Sequence, residues 1–320
     1  MRDLVDEVTE ENRVATEYVA QRDVTTIYNA CKGLGTDEAA LSSIMIGRTK
    51  AHLETVDALY REHVGGGKTL ASLIQSEVSG NLCKLLLYRS QSKVEFMASM
   101  VDVACKGFGT DEELLVDTLV PASNAELLAL REHYEATRDA SLMDLMRSEL
   151  SGEILLFVTK LLAGERDESG DVDEDAAAEA AEKLYEAGEK DWWGTDEAAF
   201  VDALLGANPK QCQAINTAYE NSHGKSLQKA IKSEFGSDAA YGLCACFYDG
   251  APDLMARRLV DAMKGFGTDE SDELVGILAR RTKSQLDRID AQYRALYDTT
   301  LRREIEAETS GDFKDMLVLM

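Results

Sequence analysis

Proline is nearly missing from this chain, at three of 320 residues. Helix interiors tolerate it poorly, so its scarcity leaves long stretches open to helix. Histidine is nearly as scarce: the four, His52, His63, His133 and His223, show no metal-ligand or triad spacing. Positive charge is in short supply, with 34 Lys and Arg against 59 Asp and Glu and a formal net charge of -25. That balance argues against a nucleic-acid partner, because such binding rests on neutralising phosphates with Lys and Arg. It also predicts repulsion from an anionic membrane unless something intervenes. No run approaches the roughly 18 apolar residues of a membrane span. The opening MRDLVDEVTE carries acids where a secretory leader carries basic and then apolar residues. A cytoplasmic location is expected. No nucleophile–base pair or catalytic motif stands out, so an enzyme is not expected.

Cysteine is sparse and scattered. Cys31, Cys83, Cys105, Cys212, Cys244 and Cys246 suit reduced, mostly buried thiols better than a disulfide framework. The C-A-C of Cys244 and Cys246 is neither a zinc knuckle nor a redox pair.

What is present is repetition. The string G-T-D-E recurs at Gly35, Gly109, Gly194 and Gly267. Each copy has a second echo at nearly constant separation: SEVSG at Glu77, SELSG at Glu149, SEFGS at Glu234 and AETSG at Glu308. Two signals repeating in step define four copies of one unit. The longer middle interval is absorbed by the polar, acidic stretch 164–175, read as a solvated linker that divides the chain two plus two. The expected segments are a tail over 1–20, then repeats at 21–91, 92–163, 176–249 and 250–320.

The periodicity inside each repeat is helical. Val24, Ile27, Tyr28 and Cys31 form an i, i+3, i+4, i+7 stripe. Thr36, Thr110, Thr195 and Thr268 stand where helix N-caps are expected, and Thr110 with Glu113 matches a capping box. No strand alternation of comparable length appears. The fold class is all-α, four homologous repeats of about five helices each.

The repeated loop, Cys31-Lys32-Gly33-Leu34-Gly35-Thr36 in the first copy, lies between two such helices. Glycine admits positive φ, so successive carbonyls can turn toward one point. The preceding helix ends there and presents unpaired carbonyls. Three carbonyls and one bidentate carboxylate would supply about five oxygens; calcium takes about 6–8, leaving positions for water or a lipid phosphate. One carboxylate per site predicts weak binding of free calcium, around 10⁻⁴ M or weaker, until phosphate completes the shell. Calcium and membrane affinity then reinforce one another. A helix cap followed by a turn would explain a single copy; four copies paired with four distal glutamates favour the cation loop.

Here the residues resemble the annexin family. K-G-x-G-T followed at fixed distance by an acidic residue is similar to the annexin type II calcium motif, and the likeness covers about residues 20–320. The resemblance implies a curved disc of four five-helix repeats, with calcium loops on one face that bind acidic phospholipid. Carried over by position, the first site uses the carbonyls of Cys31, Gly33 and Gly35 with the carboxylate of Glu77. The second uses Cys105, Gly107, Gly109 and Glu149, and the fourth Met263, Gly265, Gly267 and Glu308. In the third copy GEKDWWGTDE is similar to the annexin G-x-x-K-W-G-T form with an extra residue before Gly194. This puts Gly188 in doubt as a ligand and leaves Trp192, Gly194 and Glu234 as candidates. Trp192 or Trp193, if exposed, would suit the lipid interface. The inserted Gly65-Gly66-Gly67, and an extra residue near Ser271 or Asp272, are expected to reorient Glu77 and Glu308. Family tails of this kind often bind partners, which makes residues 1–20 a candidate protein-binding segment. A cytoskeletal or scaffold protein of the same fold, with reduced membrane binding, is the alternative.

Three further signals are set aside. Gly67-Lys68-Thr69 imitates the end of a P-loop but lacks its upstream glycine and strand. Asp171, Asp173, Asp175 and Glu182 match EF-hand positions, but Ala176 replaces the turn glycine. Arg48 and Arg281, each followed by Thr and Lys, are expected to anchor helix ends.

Overall fold

The computed structural model describes residues 17–107, 109–190, 195–247, 252–263, 272–279, 281 and 283–320, with backbone alone at 189, 190, 253, 254, 272 and 273. The described residues form α-helices, five to each repeat, and no strand. Repeat 1 holds α1 (17–30), α2 (Glu38–Gly47), α3 (Lys50–His63), α4 (Leu70–Glu77) and α5 (Gly80–Ser90). Repeat 2 holds α6 (Lys93–Ala104), α7 (Glu112–Leu119), α8 (Asn124–Arg138), α9 (Leu142–Glu149) and α10 (Gly152–Leu162). Repeat 3 holds α11 (Glu174–Tyr185), α12 (Glu197–Gly206), α13 (Pro209–His223), α14 (Leu227–Glu234) and α15 (Ser237–Ala245). Repeat 4 holds α16 (Pro252–Ala262), α17 (Asp272–Ala279), α18 (Lys283–Tyr297), α19 (Leu301–Glu308) and α20 (Gly311–Leu319).

The stripe of α1 is narrower than the sequence implies. Val24 and Ile27 are buried with Ala20 and Ala30, but Tyr28 is 42% exposed and Cys31 half-buried. The Lys32 ammonium lies over the Tyr28 ring, 5.5 Å from its centroid, so the aromatic face serves a cation at the loop edge rather than the core.

The pairing of repeats also differs from the sequence expectation. Residues 1–92 with 252–320 make one compact unit, and 93–251 the other. Repeat 1 therefore packs with repeat 4 and repeat 2 with repeat 3; the acidic linker runs inside the second unit and does not divide the two. Nor is it merely solvated. Arg166 donates to the carbonyls of Val120 (2.8 Å) and Ala122 (2.7 Å). The Asn208 amide donates to Asp167 Oδ2 (2.6 Å) and the Asp171 carbonyl (2.7 Å). The Asn124 backbone amide donates to Glu168 (2.7 Å). The linker thus meets the orphan groups at the starts of α8 and α13, where helix ends need partners.

Each repeat turns a sharp corner into its fifth helix, and that corner explains the serine–glycine echo. Gly80, Gly152 and Gly311 open α5, α10 and α20 at φ of 63°, 59° and 59°, a left-handed conformation that a side chain disfavours. Repeat 3 has Gly236-Ser237 instead; Gly236 caps α15 at φ −59° and donates its amide to Glu153 (2.9 Å).

Candidate metal and membrane loops

The local sequence builds the loop from both ends. In repeat 1 the Asp37 amide donates to the Ala30 carbonyl (2.8 Å), and in repeat 2 the Asp111 amide to Ala104 (2.9 Å). Each bond closes a short loop between the first and second helices. Inside it the backbone bends at two glycines: φ is 118° at Gly33 and 83° at Gly35, 113° at Gly107 and 87° at Gly109. A Cβ added to any of the four would meet no atom within 4 Å. Their requirement is conformational, not steric.

Thr36, Thr110 and Thr195 do not cap the second helices, and Thr268 lies outside the described residues. Asp37 caps α2, accepting from the Ala40 amide (2.9 Å), and Asp111 caps α7 through Leu114 (2.8 Å). Asp196 caps α12 through Ala199 (3.2 Å). The capping box expected of Thr110 and Glu113 is displaced by this one-residue shift. A carboxylate is a stronger acceptor for the helix amides and suits the positive helix end.

The shift frees these three threonine hydroxyls for another partner. Thr36 donates to the Glu77 carbonyl (3.1 Å) and carboxylate (3.5 Å). Thr110 donates to the same groups of Glu149 (3.3 and 3.2 Å), and Thr195 to the Glu234 carboxylate (2.8 Å). Residues 41, 39 and 39 positions apart are brought together in three repeats. The sequence left this role open, since the Asp after each Thr is as good a cap as the Thr itself. The glutamates are also consistently placed: Glu77, Glu149, Glu234 and Glu308 are each the last residue of an eight-residue helix. The triple glycine after α3 leaves Glu77 against Thr36, as Glu149 is against Thr110.

The thiols sit beside these carboxylates without becoming ligand anions. Burial, and after it the charges of Glu77 and Glu38, push the Cys31 thiol up to about 11. Burial, then Glu149, Asp102 and Glu112, push Cys105 up to about 12. Both are neutral at physiological pH in the ion-free protein, and a hard cation such as calcium selects the backbone oxygens over their soft sulfurs. Among the described residues no three His, Cys, Asp or Glu side chains converge on a metal-sized space. An ion held here must draw most of its ligands from the main chain, and that donor set of carbonyl and carboxylate oxygens suits a hard cation.

In repeat 3 the Asp196 amide donates to Ala187 (3.0 Å). This bond matches Asp37 to Ala30 and sets Gly188 at the position of Cys31 and Cys105. A Cβ on Gly188 would lie 3.9 Å from Glu234 Cγ. The added sequence therefore falls after Gly188, where a π-helical turn (Glu186–Lys190) extends α11. Trp192, Trp193 and Gly194 lie outside the described residues, as do Gly265 and Gly267 of the fourth copy. Met263 is buried at the end of α16, and Glu308 is exposed at the end of α19.

Four helical repeats, with a glutamate returned to a loop bent at two glycines in the first two, stand on the stretches that one family model, annexin, fits: residues 22–88, 96–160, 179–245 and 255–320. The chain belongs to the annexin family. It is 37% identical to human annexin A13 over 302 residues, covering 93% of this chain and 94% of that protein. Among solved structures it is similar to annexin III, with TM-score 0.87 and 31% identity over 94% of this chain and 92% of that one. The structure of calcium-bound annexin (Sm)1 matches with TM-score 0.83 and 25% identity, over 94% and 89%.

Proposed function

We propose that this annexin is a non-enzymatic module that docks on acidic phospholipid surfaces when calcium occupies its glycine loops. Annexins are known as calcium-dependent phospholipid-binding proteins, and one of the similar solved structures is of a calcium-bound annexin. The observation that carries the reading to these residues is the return of Glu77 and Glu149 to Thr36 and Thr110, each beside a loop bent at two positive-φ glycines.

The proposed ligands in the first loop are the carbonyls of Cys31, Gly33 and Gly35 with the Glu77 carboxylate. Those in the second are Cys105, Gly107, Gly109 and Glu149. Glu234 with Gly188, Trp192 and Gly194, and Glu308 with Met263, Gly265 and Gly267, are the corresponding proposals for the other repeats. Thr36, Thr110 and Thr195 orient the carboxylates before any ion arrives, which lowers the ordering cost of binding. When bound, calcium supplies a positive charge with open coordination positions that a lipid phosphate can fill. The chain's net charge of -25 then becomes a safeguard, keeping the apo protein off anionic surfaces. Leu34, fully exposed at the tip of the first loop, adds apolar contact at the lipid interface, as Trp192 and Trp193 would in the third. No helix among the described residues is long and apolar enough to cross a membrane; the attachment we propose is peripheral, with the protein approaching from the cytoplasm.

Co-sedimentation with phosphatidylserine vesicles tests this. Binding at micromolar to millimolar calcium that chelator reverses is expected. Sedimentation indifferent to chelator, or none at millimolar calcium, overturns the reading in favour of a scaffold that binds a protein partner.

A further inference from the structure

The repeat 1–repeat 4 unit carries a cluster of charge that runs against the composition of the whole chain. A cavity of about 480 Å³ opens where the α2–α3 corner meets the α17–α18 corner. Among the described residues five cations line it, Arg48, Lys50, Arg89, Arg281 and Lys283, and no Asp or Glu side chain does. Yet acids outnumber bases by 59 to 34 over the chain.

The fold itself does not require these charges, because the same corner is built without them elsewhere in the molecule. Thr49 caps α3 between Arg48 and Lys50; its counterparts are Ser123, between Ala122 and Asn124, and Asn208, between Ala207 and Pro209. Counting from the start of the fifth helix, Arg89 of α5 corresponds to Leu161 of α10. The matching corner of the other unit holds a space of about 90 Å³ lined by both signs: Lys160 and Arg166, with Glu165 and Asp202. There Lys160 pairs with Asp202 at 2.9 Å. One corner is small and lined by both signs; the other is larger, and the described side chains that line it include five cations and no Asp or Glu.

The cations have structural partners as well. Arg48 forks onto buried Asp23 (2.6 and 2.9 Å), and Arg89 donates to the carbonyls of Met45, Ile46 and Ala279, each at 3.2 Å. These contacts hold the guanidinium groups in place at the wall. Lys283, 80% exposed, pairs with Asp287 (3.1 Å); Lys50 is less exposed, donates to the Ser90 carbonyl (2.5 Å) and lies 3.9 Å from Glu54. The exposed Lys283–Asp287 pair contributes little, so Lys283 can turn to another anion, while Lys50 is held at the wall by the Ser90 carbonyl. Cations held in place at the wall, with the exposed Lys283 at its rim, suit the several oxygens of a phosphate. The volume is within the usual range of small-ligand sites, about 300–1,000 Å³.

We propose that this cavity binds a small, multiply phosphorylated anion without calcium, at a site that shares no residue with the glycine loops. The test uses the full-length chain in chelator. Calorimetric titration with pyrophosphate and with inositol hexakisphosphate probes soluble ligands; sedimentation with vesicles carrying a phosphatidylinositol bisphosphate probes the same chemistry on a lipid. Saturable binding at one site in either arm is expected, and the arm that responds identifies the source. Lys50→Asn with Lys283→Asn, which places the residue of the α7–α8 corner at both positions, should weaken it at least tenfold with helix content unchanged. Arg281→Ala, made separately, should weaken it similarly. Absence of binding at millimolar anion in both arms, or equal binding by the folded variants, overturns the proposal. Calcium-dependent sedimentation on phosphatidylserine should survive in both variants, so a failure here is distinct from failure of the loop function.

Discussion

Replacing Glu149 by Gln isolates what its carboxylate contributes. The side chain is exposed at the end of α9, and its Oε2 accepts from the Thr110 hydroxyl at 3.2 Å. A glutamine carbonyl can accept the same bond, so the apo protein should keep its thermal midpoint, as exposed substitutions usually do. The ion is another matter. At roughly 3 Å from a divalent cation, a unit negative charge contributes about 3 kcal/mol at the dielectric of water, the limit appropriate to so exposed a loop. The amide oxygen recovers part of this, leaving a net loss of about 2 kcal/mol, or roughly thirtyfold in the affinity of that site. Calcium titration should therefore show one site displaced to higher concentration while the others persist. The stabilisation that calcium confers on melting should shrink accordingly. An unchanged calcium isotherm, with the protein folded, would refute the assignment of Glu149 as a ligand.

The remaining expectations concern the scaffold. Gly109→Ala meets no atom within 4 Å but must hold φ of 87°, so it should lower stability by about 1–2 kcal/mol in chelator; urea midpoints that coincide with wild type contradict this. Gly242→Ala places a Cβ 2.8 Å from Phe157 Cε1 in the buried core between α10 and α15, and should cost about 1–3 kcal/mol by overpacking, read from the same denaturation curves. For Asp23, burial alone would raise the carboxyl pKa. Hydrogen bonds from Arg48 and His52, with their charges, outweigh it and hold the group below its ordinary value. A carboxylate depressed in the folded state stabilises above its unfolded pKa, about 3.9, and that contribution is lost as pH falls through the folded value. Asp23→Asn should thus cost about 1.5–3 kcal/mol at pH 7, with the gap to wild type closing below about pH 4. A gap of constant size down to pH 3 contradicts the linkage.

Much of the architecture was legible because it is written four times. The recurrence of G-T-D-E with a distal glutamate announced the repeats, and helical periodicity the class. Glu77, Glu149 and Glu234 were foreseeable at their loops because each ends a short helix of fixed length, so a constant separation in sequence becomes a constant position in space. Three things were not legible. The threonine and the aspartate beside it are both good caps, and only the path of the loop, closed by Asp37 on Ala30 and Asp111 on Ala104, decides between them. Which repeats pair depends on contacts far apart along the chain, as where Arg89 of repeat 1 reaches Ala279 of repeat 4. The linker's composition suggested a break, yet Arg166, Asn124 and the cap Asn208 bind it into the repeat 2–repeat 3 unit. Composition reports solubility; it does not report which backbone groups need partners.

A crystal structure of the protein with calcium bears most directly on the loops. The account predicts an ion in the second loop, about 2.3–2.6 Å from the carbonyl oxygens of Cys105, Gly107 and Gly109 and from both oxygens of Glu149. The first loop should show the same arrangement around Glu77. Saturated crystals with water alone in both bends, or with calcium bound only elsewhere on the surface, would contradict it.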